Sequence, residues 1–405
     1  MNNNNPPKIT IESVQRIEPT KLEPSAAIAD LVAEISAEAA LLGKALHPKT
    51  AASLAALVRI MNTYYSNLIE GHNTRPRDIE RALLGQLDNN PERRNLQMEA
   101  AAHVQVQMEI DRQALDGALK NPVAQEFIQW LHLEFYKDAP EDWLRVKGAS
   151  GDFLLKPGAW RSKSEHDVAV GRHQPPSSEK VADFMNYFET VFTRYLDGGK
   201  AAQLMAFALS HHRFNYIHPF PDGNGRVSRL MSHAIAQKIG VGAHGLWSIS
   251  RGLARGLRSR TDYKQMMDHA DQVRSDDLDG RGNLSEKTTR DFVEWFLAVC
   301  LDQIKFMSSL FDLANIQKRL RLYVERNQDL PPEASRLLEE ALIRGQFERG
   351  EVGRITGLPL RSAQRVLSEV IQHGLLASET PKSALSLRFP SDKQDQLFPK
   401  LFQET

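Results

Sequence analysis

Apolar side chains recur every three or four residues along most of the chain, and this spacing predicts amphipathic helices. Ile28, Leu31, Ile35, Ala39 and Leu42 show the pattern, and a glycine follows them directly. The same spacing predicts further helices over about 49–70, 76–87, 94–117, 122–137, 177–194, 199–214, 225–239, 251–271 and, as one helix or two, 287–325. We therefore expect a mainly α-helical protein.

Glycines and prolines interrupt the helical pattern between residues 141 and 176. Short β-like segments at 152–155 and 168–170 predict a hairpin, or flap, inside this stretch. Pro331 and Pro332 mark a second interruption, and the three short helices and two-strand wing predicted after it are typical of a winged helix-turn-helix domain. These breaks divide the chain into a flexible N-terminal arm (1–25), an N-terminal helical region (26–140), a central core (141–325) and a winged-helix domain (326–405).

Composition narrows the functional classes. In 405 residues, 51 Lys plus Arg balance 51 Asp plus Glu, so the overall charge does not indicate a nucleic-acid coat or an anionic membrane as a partner. The single cysteine excludes an internal disulfide and a multi-thiolate zinc site. No stretch reaches the roughly 20 apolar residues of a membrane span, and the polar segment Met1–Pro7 lacks the features of a secretory signal. We expect a cytoplasmic protein without membrane contact.

Residues 217–230 concentrate the candidate chemistry. The segment Asp222–Gly225 predicts a glycine-rich turn directly before a helix that begins near Arg226. Free backbone N–H groups and the positive end of the helix dipole then meet at one place, which suits an anion such as a phosphate. Arg229, three residues after Arg226, adds a second guanidinium on the same face. Because cations are unfavourable at a helix N-terminus, two of them there indicate a negative ligand.

Two other groups of this segment have complementary chemistry. Asp222 offers a hard oxygen ligand beside the phosphates, the arrangement in which Mg²⁺ is usually bound. His218 is a group of the segment that titrates near neutrality, so it is suited to accept a proton from an incoming hydroxyl. A lone histidine is more often structural, but one beside a carboxylate, a glycine turn and two arginines favours catalysis.

The letters HPFPDGNGRVSR, from His218 to Arg229, resemble the signature HPFx[D/E]GNGRxxR of Fic-domain proteins at every defining position. The likeness covers roughly residues 50–310 and implies an all-α fold with a Fic-type helical core and a small β-hairpin flap. It also implies protein adenylylation, in which AMP moves from ATP to a Ser, Thr or Tyr hydroxyl of a target protein and pyrophosphate is released. The roles implied by matching position are general base for His218, Mg²⁺ ligand for Asp222, and ATP binding for Gly223, Asn224, Gly225, Arg226 and Arg229.

The resemblance also assigns roles outside the signature. Residues 157–161 and 168–171 are similar to the flap of the family, which is implied to bind the target chain as an added strand. The implied docking residues are Arg161, Val168 and Val170, and Tyr263 is implied to lie beside the adenine. A phosphotransferase branch of the family has Lys where this chain has Gly225, so the glycine favours adenylylation over phosphorylation.

The segment SNLIEG, at residues 66–71, resembles the inhibitory motif [S/T]xxxE[G/N] of the family. Glu70 lies at the C-terminal end of a predicted helix, where a negative charge opposes the helix dipole. The resemblance implies that Glu70 pairs with Arg229 and that Ser66 steadies the helix one turn earlier. An inhibitory pair of this kind would occupy the guanidinium that should bind the γ-phosphate.

Two alternatives remain open at the level of sequence. The first is a DNA-binding regulator whose core senses nucleotide, with Arg361, Gln364 and Arg365 on a helix that enters the major groove. Basic and acidic residues balance after Pro331, however, whereas DNA-binding domains usually have a basic surplus. The second is another reaction in the same cradle, namely transfer of UMP or phosphocholine, or removal of AMP. The sequence also leaves open whether the chain forms a homodimer.

Overall fold

The computed structural model describes residues 12–148, 151–169, 171 and 173–402, and helices dominate it. The helices are α1 (Ala26–Leu41), α2 (Pro48–Ile69), α3 (Pro76–Leu83), α4 (Pro91–Leu115), α5 (Gln125–Tyr136), α6 (Glu141–Leu144), α7 (Val181–Leu196), α8 (Lys200–Ile217), α9 (Asn224–Lys238), α10 (Ile249–Arg255), α11 (Asp262–Ala270), α12 (Glu286–Leu310), α13 (Leu313–Arg326), α14 (Ala334–Arg344), α15 (Val352–Thr356), α16 (Leu360–Gln372) and α17 (Gln394–Leu397). Two antiparallel hairpins pair β1 (Arg145–Gly148) with β2 (Gly151–Leu154), and β3 (Leu376–Ala377) with β4 (Ser386–Leu387). The predicted mainly helical fold with a small hairpin is confirmed.

The chain folds into two compact units, each built from separate segments. The first unit combines the described residues up to Val32 with 120–235 and 261–298. The second combines 33–119, 236–260 and the described residues from Val299 onward. No helix in the part of the chain that the structure describes is both long and apolar enough to cross a membrane.

Helix α8 lies at the centre of the first unit. Almost every residue from Leu204 to Ile217 is buried, so the helix has no solvent-facing stripe, as is typical of a core helix. It packs along α7, and Phe207 meets Phe296 of α12 edge to face, with ring centroids 5.1 Å apart. Because α8 is surrounded by packed side chains, its C-terminal end, next to the candidate chemistry, has a fixed position.

Part of the segment expected to be a flexible N-terminal arm is packed into the first unit. Ile17 and Leu22 are buried, with exposed fractions of 0% and 3%. The Arg213 guanidinium of α8 donates a hydrogen bond to the Pro19 carbonyl at 2.9 Å. Residues 14–22 therefore form part of the packing around α8, and residues 1–11 lie outside the described part of the chain.

Helix α2 is the central helix of the second unit and packs against α3, α4 and α10. Its apolar face is interrupted by buried polar groups that find partners on α4. Asn62 donates to the Gln107 amide oxygen at 2.6 Å, and the Thr63 hydroxyl lies 2.9 Å from Nδ1 of His103. These hydrogen bonds favour one register between the two helices, because losing a buried partner is costly.

The C-terminal part of the second unit contains α14, α15 and α16, followed by the β3–β4 hairpin. Helix α15 ends at Gly357, whose φ of +73° suits a glycine at a helix C-terminus. Arg361 and Arg365 are exposed on α16. The order of elements follows the sequence prediction, and the winged-helix assignment itself stays a prediction.

Two local predictions were wrong. The single helix expected over 251–271 is interrupted between α10 and α11, because Gly256 ends α10 with a φ of +65°. The strand 151–154 pairs with 145–148, a segment that was not predicted as a strand. Residues 168 and 169 are not in a strand, and Val170 lies outside the described residues.

The packing of α10 against α12 gives a test of the second unit. A Cβ at Gly252 would lie 2.5 Å from Cγ1 of Val299 and 2.8 Å from Cγ of Gln303, so Gly252→Ala forces these side chains apart. Overpacking of this kind costs about 1–3 kcal/mol, more than the ~1 kcal/mol that alanine adds to a helix. We expect the melting temperature of Gly252→Ala to fall by a few degrees in thermal unfolding.

The matched control is Gly353→Ala in α15, where the nearest atom to the new Cβ would be the Leu358 carbonyl oxygen at 3.4 Å. That variant should keep or slightly raise the melting temperature. Equal stability of the two variants would contradict the tight packing of α10 on α12.

Candidate functional site

The C-terminal end of α8 presents His218 in an unusual backbone conformation. His218 caps the helix with φ 50° and ψ 61°, and its N–H donates to the Phe214 carbonyl at 2.9 Å. A left-handed conformation is unfavourable for residues other than glycine and persists only where the surroundings enforce it. The following Pro219 cannot continue the helix. The chain therefore leaves α8 abruptly at the candidate base.

The loop after His218 is fixed by Phe220 and Asn224. The Phe220 ring is fully buried and stacks on the His132 ring of α5, with centroids 3.8 Å apart. Asn224 accepts the Phe220 N–H at 2.9 Å and donates its amide to the Phe220 carbonyl at 2.8 Å. Since the Asn224 side chain is used inside its own loop, its predicted part in binding an anion would come from its backbone N–H.

Gly223 lets the loop turn directly into α9. Its φ is +80°, and a Cβ there would lie 2.8 Å from the Tyr136 ring and hydroxyl, so the position requires glycine. The Gly223 carbonyl accepts the Val227 N–H at 3.0 Å, which begins the helix. The first N–H groups of α9 have no acceptor within the helix. Together with the dipole they form the type of N-terminus that binds anions.

Asp222 is held by two residues of α5 and one of α9. Its Oδ2 atom accepts the Tyr136 hydroxyl at 2.9 Å and lies 3.4 Å from the Arg226 guanidinium. Nε2 of His132 lies 3.3 Å from the Asp222 carbonyl oxygen. Burial by itself raises the pKa of Asp222, but Arg226 and the Tyr136 hydrogen bond lower it, so that the pKa lies below its usual value. The carboxylate is therefore charged at neutral pH, and its side chain is half exposed.

Sequence reasoning missed His132 and Tyr136. They lie four residues apart, on one face of α5, and about 90 residues before Asp222, so no local motif connects them to it. Nδ1 of His132 accepts the Gly158 N–H at 2.9 Å, which leaves Nε2 to donate to the Asp222 carbonyl. The i,i+4 spacing of two polar aromatic residues was the signal in the sequence, and it is a weak one.

The surroundings of His218 keep its imidazole neutral. Burial lowers its pKa to about 4, and the Arg161 charge and His173 act in the same direction. A hydrogen bond to the Asn215 backbone and the Asp222 charge oppose the shift without cancelling it. A carbonyl partner binds the protonated ring nitrogen, which leaves the other nitrogen as an acceptor. At neutral pH His218 is thus in the form that a general base needs.

The structure corrects the place expected for Arg161. This side chain is only 1% exposed, and its guanidinium donates to backbone carbonyls of Pro176 (2.5 Å), Ile217 (3.0 Å) and His218 (2.7 Å) and to the Ser178 hydroxyl (3.0 Å). It is therefore not a surface group that a target chain can reach. Val168 is half-buried outside any strand, and Val170, the third predicted docking residue, lies outside the described part of the chain.

The two arginines of the signature lie on the first turns of α9. Arg226 is 8% exposed, and its guanidinium lies over the Phe135 ring, 5.2 Å from the centroid. Arg229 is 1% exposed. Both guanidinium groups lie near the positive end of the helix dipole, where a negatively charged ligand is favourable. This arrangement is suited to a polyphosphate.

Tyr263 belongs to a buried polar chain of side chains. Its hydroxyl lies 2.9 Å from Nε2 of His211, whose Nδ1 lies 2.9 Å from the Ser232 hydroxyl. Burial lowers the pKa of His211 to about 3, so it is neutral. The neighbouring His212 contacts the Asp271 carboxylate at 3.1 Å. The structure thus gives Tyr263 a structural partner, and its predicted place beside the adenine stays a prediction.

The residues of the predicted inhibitory motif lie in the second unit. Glu70 is the C-cap of α2, with φ −77° and ψ −5°, and Ser66 is fully buried one turn earlier. The expected helix end and the order of the motif residues on it agree with the structure. The pairing of Glu70 with Arg229 stays a prediction.

The chain is similar to known proteins in both sequence and fold. Residues 122–236 match the model of the Fic/DOC family. The "Protein adenylyltransferase Fic" of Nematostella vectensis is 34% identical over 177 residues, which are 44% of this chain and 37% of that protein. The protein of the same name from Drosophila melanogaster is 37% identical over 78 residues, 18% of this chain and 15% of that protein. The chain thus spans little more than a third, or less, of the length of these curated relatives.

Solved structures share the fold at low sequence identity. A Fic family protein from Desulfovibrio desulfuricans superposes with a TM-score of 0.51 at 17% identity, covering 90% of this chain and 97% of that one. Fic-1 (residues 134–508) from C. elegans superposes with a TM-score of 0.50 at 14% identity, covering 71% and 74%. The matched segment 122–236 contains every residue of the loop between α8 and α9, together with its supports on α5. The chain therefore contains a Fic domain.

Proposed function

We propose that this chain is a protein adenylyltransferase that transfers AMP from ATP to a Ser, Thr or Tyr hydroxyl of a target protein. The observation that carries the proposal is the position of a neutral histidine, His218, directly before a helix N-terminus of the type that binds anions. The names of the related proteins support the same reaction. ATP is then the substrate that supplies the AMP.

In the proposed reaction the target hydroxyl oxygen attacks the α-phosphorus of ATP. The unprotonated nitrogen of His218 accepts the hydroxyl proton as the new P–O bond forms. The bond between the α-phosphorus and its bridging oxygen breaks, and pyrophosphate leaves with the electron pair. Arg226 and Arg229 bind the β- and γ-phosphates, and the N–H groups at the start of α9 bind phosphate oxygen. Positioning and charge neutralisation supply most of the rate enhancement in such transfers.

The donor chemistry of Asp222 fits Mg²⁺. Its carboxylate is charged and half exposed, and Mg²⁺ is usually bound by one or two carboxylates together with substrate phosphates. Tyr136 and Arg226 contact Oδ2, which fixes the orientation of the other oxygen. Asp222 would hold the ion, which when bound neutralises phosphate charge.

We also propose that Glu70 restrains the activity, as its sequence motif implies. A carboxylate paired with Arg229 would remove one of the two cations that bind the β- and γ-phosphates and would repel the phosphates themselves. A carboxylate at a helix C-terminus is unfavourable by about 0.3–1 kcal/mol, which indicates that its position has another use.

Label transfer from ATP to protein tests the reaction. The Glu70→Gly variant, incubated with Mg²⁺, a cell lysate and ATP labelled with ³²P at the α-position, should transfer label to protein. Adding His218→Ala should lower this transfer by about 10²–10⁴-fold, the usual contribution of a general base. His373→Ala is the control, because His373 also caps a helix C-terminus, that of α16. Transfer from the γ-position instead, or full activity of His218→Ala, would refute the proposal.

The pH dependence tests the protonation state of His218. The reactive form is the neutral imidazole, and a pKa lowered to about 4 keeps His218 neutral from pH 8 down to about pH 5. We expect kcat/KM of Glu70→Gly for ATP, which reports the pKa values of the free enzyme, to be constant over this range once corrected for the protonation of ATP itself. A histidine with its ordinary pKa of about 6.5 would lose about half of the activity at pH 6.5 and nearly all of it at pH 5. Such a loss, with the fold intact by circular dichroism, would contradict the assigned environment.

The rate of the Glu70→Gly variant tests the restraint. Glu70→Gly should raise the rate of label transfer at least tenfold over the unmodified chain, because it removes the carboxylate that competes with the phosphates. Asp116→Gly is the matched control, since Asp116 caps α4 with nearly the same dihedral angles, φ −76° and ψ −2°. Equal rates in Glu70→Gly and the unmodified chain would eliminate the inhibitory role, whereas equal activation by Asp116→Gly would make the effect unspecific.

A further inference from the structure

The buried guanidinium of Arg161 donates most of its hydrogen bonds to backbone carbonyl oxygens. Its Nε and Nη2 atoms donate to the His218, Ile217 and Pro176 carbonyls, and its nearest carboxylate contact, Asp167, is 3.7 Å away and half exposed. Burial lowers the pKa of Arg161 to about 10, so the group is still charged. Burying a cation without a close anion is costly, and such an arrangement is usually tied to a specific need.

The carbonyls that Arg161 binds flank the left-handed residue at the end of α8. The last carbonyls of a helix lack N–H donors within the helix, and a cation is favourable there. Ile217 and His218 are the last helical residue and its cap, so one guanidinium binds both carbonyls around the bend. The backbone N–H of Arg161 also donates to the Pro219 carbonyl at 2.9 Å. Three consecutive carbonyls are thus fixed by one residue.

We propose that Arg161 is a positioning residue, which holds His218 in its left-handed conformation by binding the carbonyls of Ile217, His218 and Pro219, and thereby sets the direction of the imidazole. This proposal rests on the proposed function, because it concerns the base of that reaction. Arg161 touches neither ATP nor the target in this role. It acts through the backbone of His218.

The planar guanidinium group, with several N–H donors in fixed directions, makes arginine specific for this role. Arginine has five N–H donors in a rigid plane, whereas lysine has a single ammonium on a flexible stem. Arg161→Lys keeps the charge but cannot bind the Pro176, Ile217 and His218 carbonyls in the same geometry. A displacement of the base by about 1 Å costs on the order of 10²-fold in rate. Loss of the guanidinium group should therefore slow the chemical step and leave nucleotide binding unchanged.

Arg213 provides the matched control. It is as buried as Arg161, its pKa is also lowered to about 10 by burial, and it lies on α8 five residues before His218. Its guanidinium binds the Pro19 carbonyl and the Thr289 hydroxyl, away from the bend. Arg213→Lys therefore reports the general cost of altering a buried arginine next to the same helix.

The kinetic test uses the full chain with Glu70→Gly as parent. Arg161→Lys should lower kcat at least tenfold and leave KM for ATP within twofold, whereas Arg213→Lys should leave both within about twofold. If Arg161→Lys keeps kcat within twofold of the parent, or if Arg213→Lys loses as much, the proposal is overturned.

An NMR experiment detects the same hydrogen bond and does not depend on enzymatic activity. Ile217-His218 is the single Ile-His pair in the sequence, so labelling isoleucine with ¹³C at the carbonyl and histidine with ¹⁵N gives one amide signal in an HNCO spectrum. That carbonyl accepts a hydrogen bond from Arg161. The signal should shift in Arg161→Lys and stay in place in Arg213→Lys.

An unshifted signal in Arg161→Lys overturns the proposal, as does a shifted signal with unchanged kcat. If the parent transfers no AMP at all, the proposed function fails, and the amide signal alone then decides whether Arg161 fixes the backbone of His218.

Discussion

The reversal of the chain between α8 and α9 is the constraint on which the rest of the site depends. A buried helix must end at His218, and another must begin at Asn224. Two hydrogen bonds between the Asn224 side chain and the Phe220 backbone stabilise this turn, and the Phe220 ring stacks on His132 of α5. The positions of His218, the proposed base, and of the N–H groups at the start of α9 follow from one short loop.

Electrostatics gives each group at this loop the protonation state that its proposed role requires. His218 is neutral because burial and the nearby Arg161 charge lower its pKa, whereas Asp222 is ionised because Arg226 and Tyr136 lower its pKa despite burial. Shifts in the same direction thus leave one group able to accept a proton and the other able to bind a metal ion at the same pH. Perturbed values of this kind concentrate at functional sites.

The sequence could predict the features formed by residues near one another in the chain. It could not predict contacts between residues that are far apart in the chain. Helical periodicity predicted most of the helices. The residues from His218 to Arg229 were predicted to form a site because they are close together in the sequence and carry complementary chemistry. The support from His132 and Tyr136 was missed because it comes from a helix about 90 residues earlier. Burial of Arg161 was missed for a similar reason, since three carbonyls from two segments surround it, and backbone acceptors leave no trace in a sequence.

The central claim is that the start of α9 binds the polyphosphate of ATP beside His218. A crystal structure of the Glu70→Gly chain with Mg²⁺ and a non-hydrolysable ATP analogue tests it most directly. We expect phosphate oxygens within hydrogen-bond distance of the backbone N–H groups at the start of α9, and the α-phosphate next to the His218 ring. A nucleotide bound elsewhere on the protein, with no phosphate at this helix end, would contradict it.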